Sequence, residues 1–182
     1  LKKLHPYYQL SLLEELYKAK IYEIDENKKK IEQDLIITNV GFFFLRRRAF
    51  SSGFTLSNAI SPESILAVTI EDDKMVFTIE QENDSSNQQK KTFTSNENTK
   101  IIAIMKQVRC ALFGDITINT NTDSLKDELQ LNTMQYSSKN QNAERFLAHA
   151  INSNHSDLLS MAQSIFEMFS KENNSFTITH EI

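Results

Sequence analysis

A chain of 182 residues with 40% apolar residues has material for one packed domain and an appendage, and its mild net charge of −4 argues against general nucleic-acid binding. The charge is uneven, because residues 1–50 hold ten Lys or Arg against seven Asp or Glu while the remainder holds ten against seventeen. That asymmetry predicts local attraction to an anionic surface. Cys110 is the only cysteine, which leaves no intramolecular disulfide or thiolate metal cluster and makes a reducing, cytoplasmic setting the expectation. The apolar runs are strand-length, too short to span a bilayer, and the start of the chain has no signal-peptide pattern.

In chain order, Ser11-Leu12-Leu13-Glu14 fits a capping box and predicts a short helix over residues 12–17. From Lys20 the apolar period changes to two. Ile21, Tyr22 and Ile24 read as a first strand, and residues 25–30 as a charged hairpin loop. Leu35-Ile36-Ile37-Thr38 reads as a second strand. Gly41 follows in a turn, where freedom to take a positive φ is the expected reason for glycine. Residues 42–48, Phe-Phe-Phe-Leu-Arg-Arg-Arg, join a solid apolar block to a cationic one in a single strand length. Three successive arginines cannot all be buried, so this third strand must leave the core at its end.

Phe54, Leu56 and Ile60 mark a fourth strand, broken by Ser61-Pro62-Glu63. Residues 65–70 give a fifth. A tight turn at Asp72-Asp73 leads to a sixth with Met75, Phe77 and Ile79 alternating against polar residues. Residues 82–89 read as a polar loop and 91–94 as a seventh strand. Ile101, Ile104, Met105, Val108, Ala111 and Leu112 then share one helical face, predicting a helix over 98–113 stopped by Gly114. Residues 115–142 are rich in Asn, Thr, Ser and Gln and read as a linker. Helices are expected over 143–151 and 156–171, with a terminal strand at 176–179.

Seven short strands followed by one amphipathic helix resemble a pleckstrin-homology-like domain, over residues 18–114. The expected fold is α+β: a seven-stranded barrel or sandwich capped by a C-terminal helix, with an N-terminal helix over 1–17, the linker, and a helical extension over 143–182. Leu35-Ile36-Ile37-Thr38, a turn, then Phe42-Phe43-Phe44-Leu45 resemble the second and third strands of the N-terminal region of CARMIL-family leucine-rich-repeat scaffolds. The repeats themselves are absent from this chain. GRAM-like domains of an endosomal J-domain family are similar in strands, helix and spacing. These resemblances imply docking to lipid or protein, not catalysis. They imply as partners an anionic phospholipid or phosphoinositide surface and proteins of the actin cytoskeleton, on a cytoplasmic protein that associates peripherally with membranes.

The candidate binding residues are Lys28, Lys29 and Lys30 in the first hairpin loop and Arg46, Arg47 and Arg48 at the end of the third strand. In a meander, strands one and three run parallel, so their ends meet and the two blocks form one patch. Ammonium groups at that patch would attract phosphate, and guanidinium forks suit its oxygens. A solvated hairpin tip and ordinary edge-strand charge explain the same residues without any ligand, and Asp25 and Glu26 cancel part of the field. A protein-interaction role without lipid is the alternative.

No catalytic residues, metal ligands or cofactor motif emerge. Cys110 lies off the apolar stripe with no neighbouring base, His149 and His155 lack metal-ligand spacing, and three glycines cannot build a phosphate-cradling loop. Both faces of the third strand are apolar, so an outer element, the N-terminal helix or the C-terminal helices, is expected to cover it.

Overall fold

The computed structural model describes residues 14–50, 53–81, 84–121, 126, 136–138 and 140–152. The expected helix over 156–171, the strand at 176–179, the first two residues of the helix over 12–17 and His155 lie outside them.

Eight strands form one open sheet in the order β4-β3-β2-β1-β7-β6-β5-β8. They are β1 Glu15–Ile24, β2 Lys30–Thr38, β3 Phe42–Arg47, β4 Phe54–Ile60, β5 Ile65–Glu71, β6 Lys74–Gln81, β7 Asp84–Thr94 and β8 Thr117–Thr120. Two helices follow the first seven strands, α1 Asn98–Phe113 and α2 Gln141–Asn152. The arrangement is mostly sheet and is consistent with a pleckstrin-homology-like sandwich.

The sheet is bent over on itself. Strands β3 and β7 are three positions apart in it, about 14 Å if it were flat, yet the rings of Phe44 and Phe93 stack with centroids 4.9 Å apart. Phe77 meets Phe93 edge-on at 5.6 Å. The inward residues of the strands close around this aromatic centre. They include Ile21, Leu35, Ile37, Phe42, Val68 and Met75, all between 0% and 1% exposed. Helix α1 seals the core with Ile101, Ile104, Met105, Val108 and Leu112 and ends at Gly114, which takes φ 83°.

The outer face of β3 is covered as well. Ile36 and Phe43 are buried although they point away from the main core. Helix α2 lies there with Leu147, Ala148 and Ile151 buried. The helix is anchored through its polar side chains. Gln141 Nε2 donates to the Ala111 carbonyl and Arg145 Nε to the Leu112 carbonyl, satisfying two end carbonyls of α1 that no residue within α1 can reach. Asn140 caps α2, its Oδ1 accepting from Ala143 N at 3.3 Å.

Several expectations need correction. The described residues form eight strands, because β8 inside the expected linker adds in parallel to β5, with Val68 opposite Ile118. Leu16 and Tyr17 belong to β1 and not to a helix, since Tyr17 pairs with Ile37 in a long antiparallel ladder. A helix of one or two turns has nothing comparable to offset its nucleation cost. The polar loop expected over 82–89 is mostly strand, because β7 begins at Asp84 and its backbone pairs with β6. Gly41 has no positive φ, and among the glycines only Gly114 does. Gly41 is required for space: a Cβ there would lie 2.6 Å from Ile151 Cδ1.

Candidate functional site

The β1–β2 hairpin turns through Asp25-Glu26-Asn27-Lys28-Lys29. Lys28 N donates to Asp25 O at 2.9 Å, and Asp25 N donates to Lys29 O at 3.1 Å. Lys28 is left-handed, with φ 61°. This is the three-residue hairpin in which a type I turn is followed by a left-handed residue, a position that favours glycine. Asp25 Oδ1 accepts from Lys29 N at 2.8 Å, so the carboxylate nearest the lysines is employed in holding the turn. Lys28, Lys29 and Lys30 are exposed and make no ion pair among the described residues.

Strand β3 runs antiparallel to β2, with Asp34 opposite Leu45. The end of β3 and the start of β2 therefore lie at the same end of the sheet. Strand β7 pairs with β1 through Glu23 and Phe93, which carries the start of β7 to that end too. The β1–β2 hairpin, the end of β3 and the start of β7 share one rim.

The three arginines are not equivalent on it. Arg46 lies on the core-side face and pairs with Glu23, its Nη2 3.2 Å from Oε2. Arg47 stacks over Phe54 with its guanidinium carbon 5.5 Å from the ring centroid. Arg48 donates from Nε to Thr55 Oγ1 at 3.1 Å, and its backbone N–H closes the β3–β4 loop by donating to Gly53 O at 3.0 Å.

A polar layer forms the mouth of the core below this rim. Two residues along from buried Ile21, Leu35, Phe44 and Phe93 stand Glu23, Gln33, Arg46 and Lys91, on the same inward face. Gln33 is 2% exposed; its Nε2 donates to Glu23 Oε2 at 2.6 Å, and its Oε1 is buried with no partner among the described residues. Burial holds the Lys91 ammonium below the usual lysine range, while the Glu23 carboxylate partly restores it and Arg46 opposes. Glu23, Gln33 and Lys91 were missed in the sequence reading. The period of two carries the signal: toward this rim, on each of these strands, an apolar inward position gives way to a polar one.

Elsewhere the chemistry is structural. Cys110 is exposed, and its Sγ lies 3.3 Å from Asp115 Oδ1. Partial burial first, then the Asp115 carboxylate, pushes the thiol pKa up, the reverse of what activation needs. His149 pairs with Glu63 across 3.0 Å, joining α2 to the turn before β5. Among the described residues no three His, Cys, Asp or Glu side chains converge on a metal position, and no helix is long and apolar enough to cross a membrane.

No protein-family model matches this chain, and no curated protein matches it. Two solved structures are similar at low identity. The hSac2 domain from the human phosphoinositide phosphatase Sac2 is 12% identical with a TM-score of 0.44, over 64% of this chain and 84% of that one. A complex of the PDZ-RhoGEF DH/PH domains with GTP-gamma-S activated RhoA gives 7% identity and a TM-score of 0.40, over 68% of this chain and 31% of that one. The chain thus spans about a third of the second structure.

Proposed function

We propose that this chain is a non-catalytic targeting or adaptor module with a pleckstrin-homology-like sandwich, binding anionic lipid weakly through its basic rim. The observation that carries the reading is the register of β2 against β3. It puts the exposed Lys28, Lys29 and Lys30 at the same end of the sheet as Arg46, Arg47 and Arg48. Each basic group near an anionic membrane contributes about 1 kcal/mol, and the total falls as salt screens it. Arg46, already paired with Glu23, contributes less than the lysines. The resemblance of strands β2 and β3 to CARMIL-family scaffolds is what supports reading the module as part of a cytoplasmic, actin-linked protein that associates peripherally with membranes.

Co-sedimentation with phosphatidylserine- or phosphoinositide-containing vesicles, at low and physiological salt, tests this. Salt-sensitive binding to anionic vesicles alone is expected, abolished by reversing the charges of Lys28, Lys29 and Lys30. Unchanged binding after charge reversal, or none to begin with, overturns it.

A second reading, a protein-docking module without lipid, is favoured by Phe146 on α2. That side chain remains 59% exposed, next to the buried Leu147 of the same helix.

A further inference from the structure

Among the described residues, the exposed large hydrophobics are Phe50 and Phe146. Phe50 is the extreme case at 102% exposure. The phenylalanines of the core, Phe42, Phe43, Phe44, Phe77 and Phe93, are at 0% to 1%. Phe50 lies in the β3–β4 connection, whose base is closed by the Arg48 N–H to Gly53 O bond. That closure places it past the end of β3, and among the described residues no apolar surface covers it.

Arg47 is drawn onto Phe54 and Arg48 onto Thr55, both on β4, and the Lys28–Lys30 hairpin lies at the same end of the sheet. An exposed apolar group at the cationic end of the sheet matches the layering of an anionic bilayer, with acyl chains beneath a plane of phosphates. A protein partner would call for a contiguous apolar patch. Among the described residues the other exposed large hydrophobic, Phe146, lies on α2, and the residues that precede Phe50 are Ala49 and the arginines.

We propose that Phe50 is a bilayer anchor: its ring enters the acyl region of an anionic membrane while the surrounding cations meet the headgroups. This rests on the lipid-binding reading above and adds a contribution that salt does not screen.

The chain contains no tryptophan, so Phe50→Trp creates a single fluorescent reporter at this site. On adding phosphatidylserine-containing vesicles its emission is expected to shift to the blue and to be quenched by brominated acyl chains. Phe50→Ser is expected to weaken co-sedimentation roughly fivefold to tenfold with an unchanged thermal midpoint. Co-sedimentation with unshifted, unquenched emission, or unchanged affinity of Phe50→Ser, overturns the anchor and leaves the basic rim standing. Failure to co-sediment at low salt overturns both.

Discussion

Gly41 and Ile151 are in contact across the interface between sheet and helix, 2.6 Å separating Ile151 Cδ1 from where a Cβ on Gly41 would sit. The same Cβ would meet the Phe43 ring at 3.3 Å. Ile151 is 4% exposed, so its methyl has little room to retreat. Gly41→Ala is therefore expected to destabilise the fold by about 1–3 kcal/mol through overpacking. Adding Ile151→Val should recover part of the loss. Thermal or urea denaturation of the two variants checks this, and a Gly41→Ala protein as stable as the parent would refute the contact.

Glu144 is a buried carboxylate, 4% exposed, that accepts from Tyr136 Oη at 2.7 Å, Ser138 Oγ at 2.8 Å and Asn39 Nδ2 at 3.3 Å. Asn39 in turn accepts from Glu14 N at 2.8 Å, so one network joins α2, the β2–β3 turn and the start of β1. Glu144→Ala strands these donors and is expected to cost about 2–3 kcal/mol, with Glu144→Gln costing less. Partial burial first, then the Glu144 hydrogen bond, raises the Tyr136 phenol well above the usual tyrosine range. A raised folded-state pKa gives stability that is complete below the unfolded value, near 10, and lost as pH rises past it. Wild type should therefore lose stability above that pH faster than Tyr136→Phe, in pH-dependent denaturation. Parallel curves would remove Tyr136 from the alkaline transition.

Lys28 separates folding from binding. Its φ of 61° costs about 1 kcal/mol for a residue with a Cβ. Glycine would relieve that strain but would release a similar conformational entropy in the unfolded chain. Lys28→Gly is thus expected to stay within about 0.5 kcal/mol of wild type in stability while binding anionic vesicles more weakly. A variant of equal stability and undiminished binding would show that this ammonium has no part in recognition.

Lys91 is half-buried in the mouth of the core, with its charge disfavoured by that burial. Lys91→Met keeps the side-chain length and removes the charge. After solvent screening, a gain of a few tenths to about 1 kcal/mol is expected in denaturation. A loss of stability instead would mean that attraction to Glu23 outweighs the burial cost.

Much of the scaffold was legible locally. The inward-facing Met75, Phe77 and Ile79 announced β6, and Ser61-Pro62 broke the chain where a one-turn helix now begins. The stripe from Ile101 to Leu112 gave α1 its observed limits and Gly114 its observed stop. Each depends on spacing between near neighbours, which the chain carries wherever it folds. The apolar outer face of β3 likewise required a cover, without saying which segment supplies it. Tertiary structure decided what depends on residues distant in sequence. Backbone pairing made strands of Leu16 and Tyr17 and of the polar start of β7, against their local pattern. It brought Glu23, Gln33, Arg46 and Lys91 together from different strands, Glu23 meeting both Gln33 and Arg46. The need for glycine at position 41 arises from Ile151, more than a hundred residues later, because local backbone preference cannot encode the approach of a helix from elsewhere in the chain.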